Sequence, residues 1–406
     1  MFDDIESLNY VILIIAFIFS FLIFKRSEIN KIIIYAFIIR VVAAVVSYSG
    51  IFPLEGSGDD AMFFDRIALK YSDEGIIFII QNFKHLLPNL YSLLISLIYI
   101  VFAPSITLII LINIILGTLT VYYVYKITYY LFPENNRIAR TAAWVTAFTP
   151  YLIIFSAVML REAVYILFCC IAVWQLLKYF QLKKYIYLIN AFALQVFLFL
   201  LHGAMMSGLL ALLIIVIIYE ALYRKNIFSY SNLIFLGLLL FSSLFLFTSL
   251  DLRIYKLEQI HESYDVMGDL LKRTGYAIYG HSGRYRDEVI SNNFFELIIN
   301  FPKIFIPYFF EPYPWRFFSY RLPIQYTNTI LYIFIAWSII RRPKLISRDI
   351  RKILILIYSF IILTVFAYGT STIPQANRHK TIVTPLLIIL TAYQFERVRK
   401  QIIKFN

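Results

Sequence analysis

Residues 31–68 read KIIIYAFIIRVVAAVVSYSGIFPLEGSGDDAMFFDRIA. The opening part, 31–51, is apolar apart from Lys31, Arg40 and a few hydroxyls. At 1.5 Å per helical residue it is long enough to cross the roughly 30 Å hydrocarbon core of a bilayer. It ends at Pro53 and a run of glycines, and two adjacent aspartates, Asp59 and Asp60, follow at once. Paired carboxylates directly after a membrane-length helix point to chemistry at the lipid surface.

The same hydrocarbon character continues outward in both directions. Hydrophobic residues make up 61% of the 406 positions and charged residues 15%, the composition of a polytopic membrane protein. Spans are expected at 9–24, 31–51, 105–128, 141–159, 163–180, 184–201, 203–222, 231–250, 323–340, 352–369 and 379–395. Backbone groups in hydrocarbon must be satisfied inside helices, and the alternating ten-residue strands of a membrane barrel are absent from the pattern. The expected class is therefore an all-α polytopic membrane protein with about eleven transmembrane helices, forming a single membrane domain over 1–406.

Short basic loops join these spans: Lys25, Arg26 and Lys31; Arg137 and Arg140; Lys183 and Lys184; Arg224 and Lys225; Arg341 to Lys352; Arg397, Arg399 and Lys400. The positive-inside rule puts all of them in the cytoplasm of a cell (inner or plasma) membrane. That parity holds only if 85–103, which contains Pro88 and precedes Pro104, is a re-entrant or juxtamembrane helix. The expected outer elements are then 52–104, with its juxtamembrane helices, and a second long stretch, 251–322. The N-terminus, with Asp3, Asp4 and Glu6, is expected outside and not as a cleaved signal peptide.

This topology gathers Asp59, Asp60, His85, Arg161, Glu162, Arg316, Arg378, His379 and Lys380 on the outer face. The net charge of +13 partly reflects the cytoplasmic loops, for which anionic membrane lipid is the default partner. Nucleic acid is not an expected partner, because the basic residues are scattered over short loops. Cys169 and Cys170, the two cysteines, are neighbours within a span and read as buried thiols; a thiolate zinc site is excluded. No glycine-rich phosphate loop, nucleophile elbow or HExxH motif is present.

From Asp60, DAMFFDRIA resembles the first outer loop of the GT-C glycosyltransferases, especially the branch of protein O-mannosyltransferases and the lipid A aminoarabinose transferase. Asp60, Phe64, Ile67 and Ala68 match that spacing, while Ala61 stands where Glu is common. HLLPNLY from His85 is similar to the family's K-P-P-L-Y segment, with His85 in the place of Lys. TAFTPYLIIFSAVMLREA resembles the span that ends outside on an acidic residue, here Glu162. The likeness covers roughly 55–180; beyond it, hydropathy and the outer segments EPYPW (311–315) and NRHK (377–380) carry it.

The resemblance implies a GT-C bundle and transfer of a sugar from a polyprenyl-phosphate carrier to a glycan, lipid or protein acceptor. Asp60 would be the general base for the acceptor hydroxyl, with Asp59 in support and Glu162 orienting the acceptor. Arg161, Arg378, His379, Lys380 and Arg316 would face the departing phosphate, and His85 would line the substrate site. No cofactor is expected. A divalent cation on Asp59, Asp60 and Glu162 is chemically open, but Asp60 matches the branch that works without one.

The residues also admit plainer readings. The aspartate pair fits a helix N-cap, Arg161 and Glu162 an interfacial ion pair, His202 a turn, Asp65 and Arg66 the polar side of an interfacial helix, and EPYPW an aromatic anchor. Arg40 is expected to pair inside the bundle. Rival functions are a polysaccharide polymerase or ligase, whose Arg-rich outer loop would be 251–291, a lipid-glycan transporter, and an inactive scaffold subunit. The lack of internal repeats and the one-sided polar residues weigh against transport.

Overall fold

The computed structural model describes residues 29–224, 294–313, 322–370 and 372–405. Among them the regular elements are all helical. They are α1 Asn30–Tyr48, α2 Asp59–Leu86, α3 Leu90–Phe102, α4 Ile106–Leu131, α5 Asn136–Phe148, α6 Pro150–Ile154, α7 Glu162–Leu182 and α8 Tyr185–Leu201. Then come α9 Met206–Arg224, α10 Phe294–Phe310, α11 Leu322–Arg341, α12 Pro343–Ser347, α13 Ile350–Tyr368, α14 Ile373–Thr381 and α15 Thr384–Phe405.

Among the described residues, six helical stretches are long and apolar enough to cross a membrane: Asn30–Tyr48, Asp60–Phe102, Ile106–Leu131, Glu162–Leu182, Gly203–Ala221 and Ile350–Tyr368. Their outward faces agree, since Val42, Val45, Ile77, Ile80 and Val101 are each at least half exposed, where a water-facing helix would carry polar groups. The protein is thus a helical membrane protein.

Part of the difference from eleven spans has identifiable sources. The expected spans 9–24 and 231–250, and much of 251–322, lie outside the described residues. No continuous helix covers 141–159: Pro150 pushes Thr149 into an extended conformation (φ −67°, ψ 119°), so α5 stops at Phe148 and only the short α6 follows. The stretch 379–395 is split between α14 and α15, and α15 runs on into the polar Glu396–Lys400.

The chain forms two compact units. Unit 1 holds α1 to α6, α7 as far as Trp174, and α15 from Thr384; unit 2 holds 175–383. In unit 1, α4 packs against α1, α5 and α15, and α2 packs along α3. Its centre includes Ile32, Ile33, Ala36, Val121, Ala143 and Ala147, where alanines let the helices approach closely.

Gly75 (φ +80°) breaks the path of α2, and the chain turns through Leu87–Asn89 so that α3 runs back along the first half of α2. Tyr71 then meets Asn89 and Phe64 meets Tyr91 and Ser92. α3 has 13 residues, about 20 Å at 1.5 Å each, well short of a bilayer core by itself.

Arg40, which the sequence left without a partner, is 1% exposed and donates to the Ala36 and Ala147 carbonyls at 2.8 and 3.4 Å. Ala147 lies in the last turn of α5, where carbonyls lack intrahelical donors, so Arg40 serves a helix end that Pro150 created.

In unit 2, α9 packs against α8 and α13, and α13 also packs against α10 and α14. Gln195, fully buried, joins these layers by donating to the Met205 carbonyl and accepting from the Tyr358 hydroxyl at 2.7 Å. His202 fulfils the turn reading: its Nδ1 accepts from the Ala204 amide and caps the turn into α9. Asp349 caps α13 through the Arg351 amide and pairs with the Arg351 guanidinium at 2.9 Å. Cys169 and Cys170 are buried thiols.

Candidate active site

The segment between α1 and α2 is fixed by two local bonds and one from the distant α6. Leu54 N donates to Ser47 Oγ, Ser57 Oγ to the Leu54 carbonyl, and Tyr151 Oη to Glu55 at 3.2 Å. Gly56 lies at φ +87° against Leu160, a left-handed conformation that favours glycine, and a Cβ there would crowd the Leu160 side chain.

α2 then starts at Gly58, which is the N-cap and makes no side-chain cap bond. Asp59 and Asp60 therefore occupy the first turn and not the cap position, where negative charge meets the positive end of the helix dipole. Asp60 is exposed.

One turn after Asp60, Phe64 faces Arg161, whose guanidinium carbon lies 5.6 Å from the Phe64 ring centroid and 5.8 Å from that of Tyr165. Phe64 also meets Tyr91 edge-on at 5.0 Å. Glu162, the first residue of α7, is 3% exposed and directly follows Arg161. Asp60, Arg161 and Glu162 thus belong to one end of unit 1.

Asn113 holds this end together. It is 1% exposed, and its Nδ2 lies 2.8 Å from the Val158 carbonyl, 2.9 Å from the Leu160 carbonyl and 3.3 Å from Tyr91 Oη. Those carbonyls precede Arg161 in the irregular run after α6, so one amide from α4 fixes the approach to the Arg161–Glu162 pair.

Asp65 is part of this network. Tyr99 Oη donates to its Oδ1 at 2.6 Å, and Tyr48 lies near both Asp65 and the Met159 backbone. The amphipathic-helix reading holds for exposed Arg66 but not for Asp65. In the sequence Tyr91, Tyr99 and Asn113 read as packing, as a tyrosine or asparagine in an apolar run does; the signal it carries is Asn113 itself, a polar amide within a membrane-length stretch.

The other expected residues fall elsewhere. His85 is exposed on α2, beyond the Gly75 kink. Arg316 lies outside the described residues, as does Trp315 of EPYPW. In unit 2, the Lys380 ammonium is fully buried, lies 3.4 and 3.3 Å from the Phe309 and Glu311 carbonyls at the end of α10, and sits 4.8 Å from the Tyr332 ring centroid. It caps a helix C-terminus from another element. His379 meets Thr370 Oγ1 at 2.8 Å through Nδ1 and shares Phe366 with His202, while Arg378 is half-buried on the same helix.

Near Tyr332 on α11, Asn328 is 1% exposed, and neither its Oδ1 nor its Nδ2 has a hydrogen-bond partner. Nothing in the sequence marked it. Among the described residues, no three carboxylate, imidazole or thiol groups converge as metal ligands.

Comparison with protein-family models, with curated proteins and with solved structures returned no match.

Proposed function

We propose that the protein is a membrane glycosyltransferase of the GT-C type, with eleven spans and a re-entrant segment, acting on the outer face of the plasma membrane. It moves a sugar from a polyprenyl-phosphate donor to a cell-envelope glycan, lipid or protein acceptor. The observation that carries this reading is the joint presence, at one end of unit 1, of an exposed carboxylate (Asp60), a cation (Arg161) and a buried carboxylate (Glu162), linked through Phe64 and the Asn113 network.

The chemistry divides among these groups. As the acceptor hydroxyl attacks the anomeric carbon, the bond from that carbon to the carrier phosphate oxygen breaks and a new glycosidic bond forms. Asp60 takes the hydroxyl proton. The phosphate leaves with its electron pair and gains negative charge, which Arg161 offsets in a partly desolvated setting. Glu162 orients the acceptor, and Asp65 with Tyr99 fixes the helix that carries the base.

The test is transfer of labelled sugar from polyprenyl-phosphate donors by membranes containing wild type, Asp60→Asn or Asp59→Asn. Asp60→Asn is expected to lower transfer about 100-fold or more, with Asp59→Asn retaining most of it. Equal activity in wild type and Asp60→Asn would remove Asp60 as base. A ladder of repeat units would identify a polymerase instead.

A further inference from the structure

At the other end of unit 1, Arg137, Arg140, Thr141 and Trp144 lie at i, i+3, i+4 and i+7 on one face of α5. Val398 and Arg399 of α15 face them across a groove of about 720 Å³. Its lining combines three guanidinium groups with Trp144, Val145 and Val398, so it is cationic at the rim and apolar along the floor.

Glu396 is 3% exposed; it accepts from Thr141 Oγ1 at 2.7 Å and from Arg399 at 2.8 and 2.9 Å. That carboxylate is committed to Thr141 and Arg399. Arg137 is exposed and Arg140 half-buried at the rim.

We propose that this groove is a binding site for an anionic phospholipid, its headgroup phosphate held by Arg137 and Arg140 and its proximal acyl carbons against Trp144, Val145 and Val398. A planar guanidinium matches two phosphate oxygens at once. A lipid is favoured over a soluble phosphate because half the lining is apolar. Trp144 also stacks on exposed Phe148 at 5.5 Å and lies 5.8 Å from exposed Tyr35, an aromatic belt of the kind found at membrane interfaces. Basic pockets between membrane helices bind acidic headgroups on these grounds. No residue of the groove takes part in the proposed catalysis, so the two proposals fail separately.

The experiment is a titration of the full-length protein, in neutral detergent, with phosphatidylglycerol or phosphatidylcholine, followed by native mass spectrometry. Preferential phosphatidylglycerol binding is expected, weakened about fivefold by Arg137→Gln and about 25-fold by Arg137→Gln with Arg140→Gln. Helicity by circular dichroism is the folding control. Should the double variant lose helicity, Arg137→Gln alone decides, since its side chain is exposed. Trp144→Ala should weaken retention without altering the preference for the anionic lipid. Equal binding of the two lipids would overturn the proposal, as would unchanged phosphatidylglycerol binding in a folded Arg137→Gln variant. Displacement by glycerol 3-phosphate at lipid-like concentrations would also overturn it, because the apolar floor would then contribute nothing.

Discussion

The two ends of unit 1 handle polar groups in opposite ways. Around Asn113 the polar atoms are drawn inward: Asn113, Tyr91, Tyr99 and Glu162 are each at most 5% exposed, Asn113 bonds to two backbone carbonyls and the Tyr91 phenol, and Tyr99 bonds to Asp65. Around Arg137 the charges sit at the rim, and Thr141 with Glu396 is the buried polar pair. Along α4, Asn113 belongs to the first end, and Tyr125, which donates to Asn136 at the start of α5, belongs to the second. Twelve residues of helix separate them by about 18 Å. A buried network is rigid and intolerant of a lost partner, whereas a charged rim tolerates substitution and attracts ligands.

If this contrast is sound, substitutions should rank by end. The largest loss is expected for Asn113→Leu, which removes the donor to the Val158 and Leu160 carbonyls in a buried setting. It should cost about 3 kcal/mol in detergent-solubilised unfolding and disorder the Arg161–Glu162 approach. Tyr99→Phe comes next, at about 1.5 kcal/mol, because it removes one short bond to Asp65. A cost near zero would show that Asp65 is held by solvent and not by the network.

At the basic end, Thr141→Val should cost about 1 kcal/mol, by removing a single hydroxyl that donates to Glu396. Were it to exceed Asn113→Leu in the same unfolding measurement, the comparison would be reversed. The smallest effect is expected for Arg399→Gln: its side chain is 51% exposed, so solvent screens the pair with Glu396, and the change should stay under about 0.5 kcal/mol.

Much of this was legible in the sequence, for physical reasons. Hydrocarbon-length apolar runs such as 31–51 and 105–128 allow little besides helices, and α1 and α4 formed there. The run Asp59, Asp60, Arg161 and Glu162 stood out because charge is costly next to hydrocarbon. The break within 141–159 was also within reach, since Pro150 bars its predecessor from helical geometry, although hydropathy alone runs through it. Asp65 reads as solvent-facing in the sequence because its partner, Tyr99, is 34 residues away and returns only after the turn at Leu87–Asn89.

The sequence by itself therefore determined the class of the protein: helices, several of them long and apolar enough to cross a membrane. These follow from local rules of solvation and backbone satisfaction that every residue obeys wherever it sits. Tertiary structure alone decided which polar groups share a partner. Arg40 found a carbonyl 107 positions away, Thr141 a carboxylate 255 positions away, and Lys380 the end of a helix some 70 positions earlier. Such pairings depend on which helix faces are brought together, and hydropathy records only that a face is apolar, not what lies opposite it.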